Sequence, residues 1–157
     1  MTAAICHIAL YAGSFDPFTI GHADITERAL QLFDKVIIGI GISPDKTPEE
    51  NAYQRAAAIA SLYAGNERVE VKVYNTLTTE FASAVGATCL VRGVRDMSDF
   101  EKERNLADLN RQLSGIETLI LFSKPELAAV SSSAVRELKR FGADISAFLP
   151  THNTSKK

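Results

Sequence analysis

Residues 3–42 read AAICHIALYAGSFDPFTIGHADITERALQLFDKVIIGIGI. The stretches Ala3 to Tyr11 and Lys35 to Ile42 are apolar, rich in β-branched residues and bounded by turn formers, which predicts two strands. Between them Ile25, Ala29, Leu32 and Phe33 recur at helical spacing, so a helix joins the strands. Strand, crossover helix and strand form a βαβ unit, and its right-handed connection lays the two strands parallel.

The same alternation continues along the chain. Arg68 to Tyr74, Thr88 to Arg92 and Glu117 to Phe122 read as strands. Ala56, Ile59, Ala60 and Tyr63, then Phe81 to Val85, then Leu106, Leu109 and Leu113, and finally Val135, Leu138 and Phe141 carry the helical period. The prediction is one α/β domain over residues 1–157, a doubly wound five-stranded parallel sheet with helices on both faces. Residues 151–157 form a polar tail. Ser98-Asp99-Phe100-Glu101 has the form of a capping box and predicts that the fourth helix begins near Ser98, while Asn51 with Gln54 offers a second box. In the second strand Ile38, Ile40 and Ile42 share one face and Gly39 and Gly41 the other, so either a helix backbone or a ligand comes close to the glycine face.

Composition narrows the function. A formal charge of −2 provides no global field for nucleic acid or anionic lipid, so any anion site must be local. No run reaches the roughly 18 apolar residues of a membrane span, and the N-terminus lacks the basic region of a signal peptide. Cys6 and Cys89 lie in apolar runs without metal-binding spacing, which predicts two buried thiols in a reducing compartment. The expected location is the cytoplasm.

In a doubly wound sheet, ligands bind at the carboxyl ends of the strands, close to the point where strand order reverses. The first such loop holds Gly13-Ser14-Phe15-Asp16-Pro17, then Gly21-His22 at a helix start. Unpaired backbone N–H groups and the helix dipole favour an anion there, Gly21 leaves room for a phosphate, and the His22 ring can donate to a phosphoryl oxygen. A surface histidine beside a plain Asp-Pro turn is the alternative. Arg92 and Arg95 lie three residues apart at a strand end, where their guanidiniums either converge on one polyanion or stay solvated. Ser131-Ser132-Ser133 precedes a helix pattern and serves either as a cap or as a phosphate site. Lys46 and Glu103 read from their surroundings alone as solvated charges.

Taken together, Gly13-Ser14-Phe15-Asp16 and Thr19-Ile20-Gly21-His22 closely resemble the nucleotidyltransferase superfamily signature G-[ST]-F-D followed by H-x-G-H. Thr19 in place of the first histidine points to the phosphopantetheine adenylyltransferase family. Ser43-Pro44-Asp45-Lys46, Arg92-Gly93-Val94-Arg95, Asp99 to Glu103 and Val130 to Ser133 extend the resemblance, in order, from residue 8 to about 150. It implies transfer of the adenylyl group of ATP to 4'-phosphopantetheine, with Mg²⁺ as cofactor, in a homohexamer. It further implies that His22 and Lys46 are catalytic and that Ser14, Lys46, Thr78 and Arg92 hold the acceptor. ATP is expected on Ser14, Phe15, His22, Gly93, Val94, Arg95, Glu103, Leu127, Ala128, Ala129, Val130, Ser131, Ser132 and Ser133, with no metal held by side chains.

Overall fold

The structure is a computed structural model that describes residues 6–45, 48 and 51–152. Five parallel strands lie in the order β3-β2-β1-β4-β5: β1 Ile8–Gly13, β2 Lys35–Gly41, β3 Val69–Tyr74, β4 Cys89–Val94 and β5 Glu117–Phe122. The order reverses between β1 and β4, so the carboxyl ends of these two strands flank the switch point. Register across the centre pairs Leu10 with Leu90 on one side and with Ile37 on the other.

The alternating strand pattern makes two cores. On one face Tyr11, Ile38, Ile40 and Val91 pack against Ile25 and Ala29 of α1 (Ile20–Ala29) and Ile59 of α2 (Ala52–Leu62). On the other, Leu10, Ile37 and Leu90 meet Phe81 and Ala82 of α3 (Thr78–Ala84). Two further helices, α4 (Met97–Ser114) and α5 (Ser132–Arg140), follow β4 and β5. Helix α4 contributes no buried residue, and its Leu109 and Leu113 are 56% and 67% exposed.

Several expected boundaries move. Within the described residues β1 begins at Ile8, so Cys6 precedes it and is exposed, and Cys89 is half-buried; neither is the buried thiol expected. Helix α4 is capped by Asp96, whose carboxylate accepts the Asp99 N–H at 2.8 Å, which leaves Ser98 inside the first turn. An aspartate two residues earlier takes the same amide that a Ser98 box would have left for others. Strand β4 runs on to Val94, so Arg92 lies within the strand rather than at its end. On the glycine face of β2 the close approach at Gly39 comes from side chains and not from a helix backbone: a Cβ there would stand 2.8 Å from Leu10 Cδ1 and 3.2 Å from both Tyr74 and Phe81, while Gly41 borders a cavity. Those two rings stack at 4.4 Å and fill the space. The Asn51–Gln54 capping box is present as expected.

Candidate active site

The loop from β1 to α1 follows from its turn formers and its cap. Thr19 is the N-cap of α1, and its hydroxyl accepts the His22 N–H. In return His22 Nδ1 accepts the Thr19 N–H at 2.9 Å, so a histidine fills the position where a capping box usually has Glu or Gln. With Nδ1 occupied as an acceptor, the neutral ring carries its proton on Nε2. Burial against Phe18, Phe15 and Tyr11, with the positive charges of Arg92 and Arg95 nearby, pushes the imidazole pKa down to about 4. At neutral pH His22 is therefore an uncharged Nε2–H donor. Gly13 is required locally, because a Cβ there would stand 3.0 Å from Cζ of the Phe15 ring.

His22 borders a cavity of about 270 Å³ that brings together Ser14, Phe15, Gly21, Gly93, Arg95, Val130 and the serines 131, 132 and 133. Two helix N-termini, those of α1 and α5, open onto it, which suits an anion. The three serine hydroxyls are engaged: Ser131 accepts the Ala134 N–H as cap, Ser132 donates to the Pro17 carbonyl at 2.8 Å, and Ser133 accepts from Arg136. Ser131 and Ser133 only accept in these bonds and keep their O–H free to donate, so α5 offers the cavity those two hydroxyls together with the backbone of its first turn. Arg95 borders the same space and is oriented by Asp99, through Nε at 2.9 Å and Nη2 at 3.3 Å. The Asp99 carboxyl lies below the usual carboxylate range, because these bonds outweigh its partial burial. Gly93 has a packing reason as well, since a Cβ would meet Ile25 Cγ1 at 3.0 Å.

A second, larger cavity of about 900 Å³ adjoins the first, and the two share Ala12, Gly13, Ser14 and Arg92. Arg92 is the hinge between them. Its Nε and Nη2 pair with the two Glu103 oxygens at 2.8 and 2.7 Å, and Nη1 donates to the Ala12 carbonyl. Three of its five N–H groups are thereby used, leaving two for a ligand. Burial alone would lower the Arg92 pKa, but Glu103 more than offsets it and keeps the guanidinium charged. Thr78, at the first position of α3, lines the larger cavity and its hydroxyl lies 2.9 Å from that of Tyr74. Leu77 and Leu106 line it from opposite helices.

Of the residues singled out in the sequence, most gather on these two cavities. Glu103, expected on the nucleotide side, borders the larger cavity and pairs with Arg92. Val94 is fully buried and its carbonyl accepts the Ser123 N–H, while Leu127, Ala128 and Ala129 form the turn before Val130 and line neither cavity. Lys46 lies outside the described residues. Sequence reading missed Arg55 and Arg136. From α2, Arg55 Nε donates to the Ser14 carbonyl at 2.9 Å, and from α5, Arg136 Nη1 donates to the Asp16 carbonyl at 2.6 Å. Arg55 is 5% exposed on an alanine-rich helix, a burial that only the folded structure reveals.

Comparison with known proteins bears on the family and the fold. The cytidylyltransferase-like family model matches residues 10–138. A phosphopantetheine adenylyltransferase of Porphyromonas gingivalis is 55% identical over 144 residues, covering 92% of this chain and 94% of the relative. That of Phocaeicola vulgatus is 49% identical over 142 residues, 90% of this chain and 94% of the relative. Among solved structures, a bifunctional NMN adenylyltransferase/ADP ribose pyrophosphatase from Francisella tularensis, complexed with AMP and a manganese ion, superposes with a TM-score of 0.67 at 16% identity. The match covers 92% of this chain and 44% of that one, and at this identity it shows the fold alone. With a family model over most of its length and relatives about half identical over 90% or more of the chain, the chain belongs to the phosphopantetheine adenylyltransferase family of cytidylyltransferase-like proteins.

Proposed function

We propose that the chain transfers the adenylyl group of ATP to the 4'-phosphate of 4'-phosphopantetheine, giving dephospho-coenzyme A and pyrophosphate. The observation that carries this reading is the pair of adjoining cavities that share Ala12, Gly13, Ser14 and Arg92 at the carboxyl ends of β1 and β4. Two polyanions seated side by side need only a common wall to be held in line, and the attacking phosphate is already an anion, so no side-chain nucleophile is needed. The smaller cavity takes the nucleotide phosphates, on the first turns of α1 and α5 and on Arg95. Its His22 donates from Nε2 to the charge that develops on the α-phosphoryl group. The larger cavity takes phosphopantetheine, with its phosphate on the two remaining Arg92 N–H groups and its arm between α3 and α4 near Leu77, Thr78 and Leu106. In this reading Glu103 acts on Arg92 rather than on ATP. Lys46 is assigned to the transferred phosphate on the resemblance alone.

Among the described residues no three His, Cys, Asp or Glu side chains gather as a metal site. We place magnesium, which the resemblance implies, on the ATP phosphates, where it neutralises charge. The homohexamer stays a proposal too. Support comes from the exposed leucines of α4 and from Phe122, 62% exposed on edge strand β5, which are candidates for contact between copies. No helix among the described residues is long and apolar enough to cross a membrane.

Pyrophosphate release from ATP and Mg²⁺, measured across acceptors, tests the reading. Release is expected with 4'-phosphopantetheine and not with nicotinamide mononucleotide, glycerol 3-phosphate or unphosphorylated pantetheine. Turnover with nicotinamide mononucleotide would place the chain with the other adenylyl-transferring enzymes, and nucleotide binding without turnover would make it a sensor.

A further inference from the structure

The β1–α1 loop is held in an unusual way. Alternate carbonyls, those of Ala12, Ser14 and Asp16, each accept from a guanidinium, and the three arginines come from three different elements: Arg92 of β4, Arg55 of α2 and Arg136 of α5. Between the second and third of these carbonyls lies Phe15, whose φ of +49° is in the left-handed region that side-chain-bearing residues avoid. Such a conformation persists only where the surroundings over-determine it. The ring is locked by Tyr11, Phe18 and His22 at centroid distances of 5.1, 5.4 and 5.1 Å. The backbone is locked by Arg55 and Arg136, one on each sequence neighbour of Phe15.

Phe15 is 3% exposed, yet its backbone N–H has no hydrogen-bond partner among the described residues. Buried N–H groups without partners are rare, because each forfeits its hydration. In a planar trans peptide the N–H points opposite to the preceding carbonyl. The Ser14 carbonyl is turned toward Arg55, so the Phe15 N–H is turned away from it, and Phe15 borders the smaller cavity. We infer that Arg55 and Arg136 are positioning residues, which hold Phe15 so that its N–H is presented to the smaller cavity as a fixed donor for a phosphoryl oxygen. This rests on the reading of that cavity as the nucleotide side. The Phe15 N–H and His22 Nε2 then belong to one preorganised set of donors, built at folding and facing the anion.

The test compares wild type with Arg55→Met, Arg136→Met and Arg55→Lys by steady-state pyrophosphate release and thermal unfolding. Methionine keeps much of the aliphatic volume and removes the donor, whereas lysine keeps one N–H for the Ser14 carbonyl. Each methionine variant, confirmed as folded, is expected to lose about 10-fold in kcat, with both KM values within about 3-fold of wild type, as for a misplaced catalytic group rather than a lost binding contact. Arg55→Lys should recover most of that loss. Wild-type kcat in a folded methionine variant, or a lysine variant no better than methionine, overturns the inference while leaving the function standing. If Arg55→Met does not fold, Arg136→Met, on a more exposed helix, decides. A wild type inert with every acceptor overturns the nucleotide reading and this inference with it.

Discussion

Replacing His22 separates two jobs that one ring performs. In the folded protein its Nδ1 accepts the Thr19 N–H at 2.9 Å and its face lies on Phe18 at a centroid distance of 5.5 Å. His22→Ala therefore removes a capping bond of about 1 kcal/mol and an aromatic contact of similar size, about 2 kcal/mol in all. For a chain of this length the melting temperature should fall by roughly 5 °C. The same change removes the Nε2–H donor, and loss of one preorganised donor to a developing charge costs about 10²-fold in kcat, near 2.7 kcal/mol. His22→Gln splits the two effects, because Thr19-x-x-Gln is itself a capping box and the glutamine amide can take back the Thr19 N–H. About half of the lost melting temperature should return, while kcat stays at least about 10-fold below wild type, since the donor no longer sits where the ring placed it. The assays are calorimetric unfolding and pyrophosphate release at saturating substrates. A folded His22→Ala retaining more than half of wild-type kcat removes His22 from the chemistry, and a glutamine variant as unstable as alanine removes it from the cap.

Three further outcomes are expected. The His22 ring should titrate near pH 4 and show the Nε2–H tautomer at pH 7 by nitrogen-15 NMR; a midpoint at the ordinary 6.5 would contradict its burial beside Arg92 and Arg95. Because the folded value is depressed, its contribution to stability is complete above pH 6.5 and lost as pH falls toward 4, with a slope of at most about 1.4 kcal/mol per pH unit that His22→Gln should abolish. Arg92→Ala should weaken 4'-phosphopantetheine by about 30-fold or more in calorimetric titration and ATP far less, as for the loss of charge-assisted bonds to one phosphate; the reverse order would move Arg92 to the nucleotide. Gly93→Ala should destabilise by about 1–3 kcal/mol in denaturant unfolding, because its Cβ meets Ile25 Cγ1 at 3.0 Å and pushes α1 off the sheet, and unchanged stability would show that the helix yields freely.

The sheet was legible because its strands are short apolar runs separated by amphipathic helices, and period alone distinguishes the two. Element ends were less so. Asp96 and Ser98 are both good caps, and only the packed backbone shows that Asp96, through the Asp99 N–H, is the one that starts the helix. The exposed leucines of α4 carry a helical period that says nothing about burial within one chain. At the site, Ser14, Phe15, His22, Gly93, Arg95 and the serines 131 to 133 meet on the smaller cavity, since strand ends and helix starts are fixed by topology, whereas Glu103 borders the larger one and Val94 and Leu127 to Ala129 border neither. The serines 131, 132 and 133 bond with Ala134, Pro17 and Arg136, all outside the Val130–Ser133 motif and one of them 115 residues away. Arg55 and Arg136 escaped notice because their partners are main-chain carbonyls 41 and 120 residues away, which leave no side-chain pattern to read.

The central claim is direct transfer between two anions in adjoining cavities, without a covalent enzyme intermediate. His22 is held as a neutral donor with Nδ1 engaged, and in their hydrogen bonds Ser131 and Ser133 accept from Ala134 and Arg136 while Ser132 donates to a main-chain carbonyl, so none is paired with a general base as a nucleophile would be. The most direct measurement is the stereochemistry at the α-phosphorus, with a chiral α-thio analogue of ATP as donor and 4'-phosphopantetheine as acceptor. In a single in-line displacement the acceptor phosphate oxygen forms its bond to phosphorus as pyrophosphate leaves, and the account predicts inversion; retention would reveal a second displacement through the protein and contradict it.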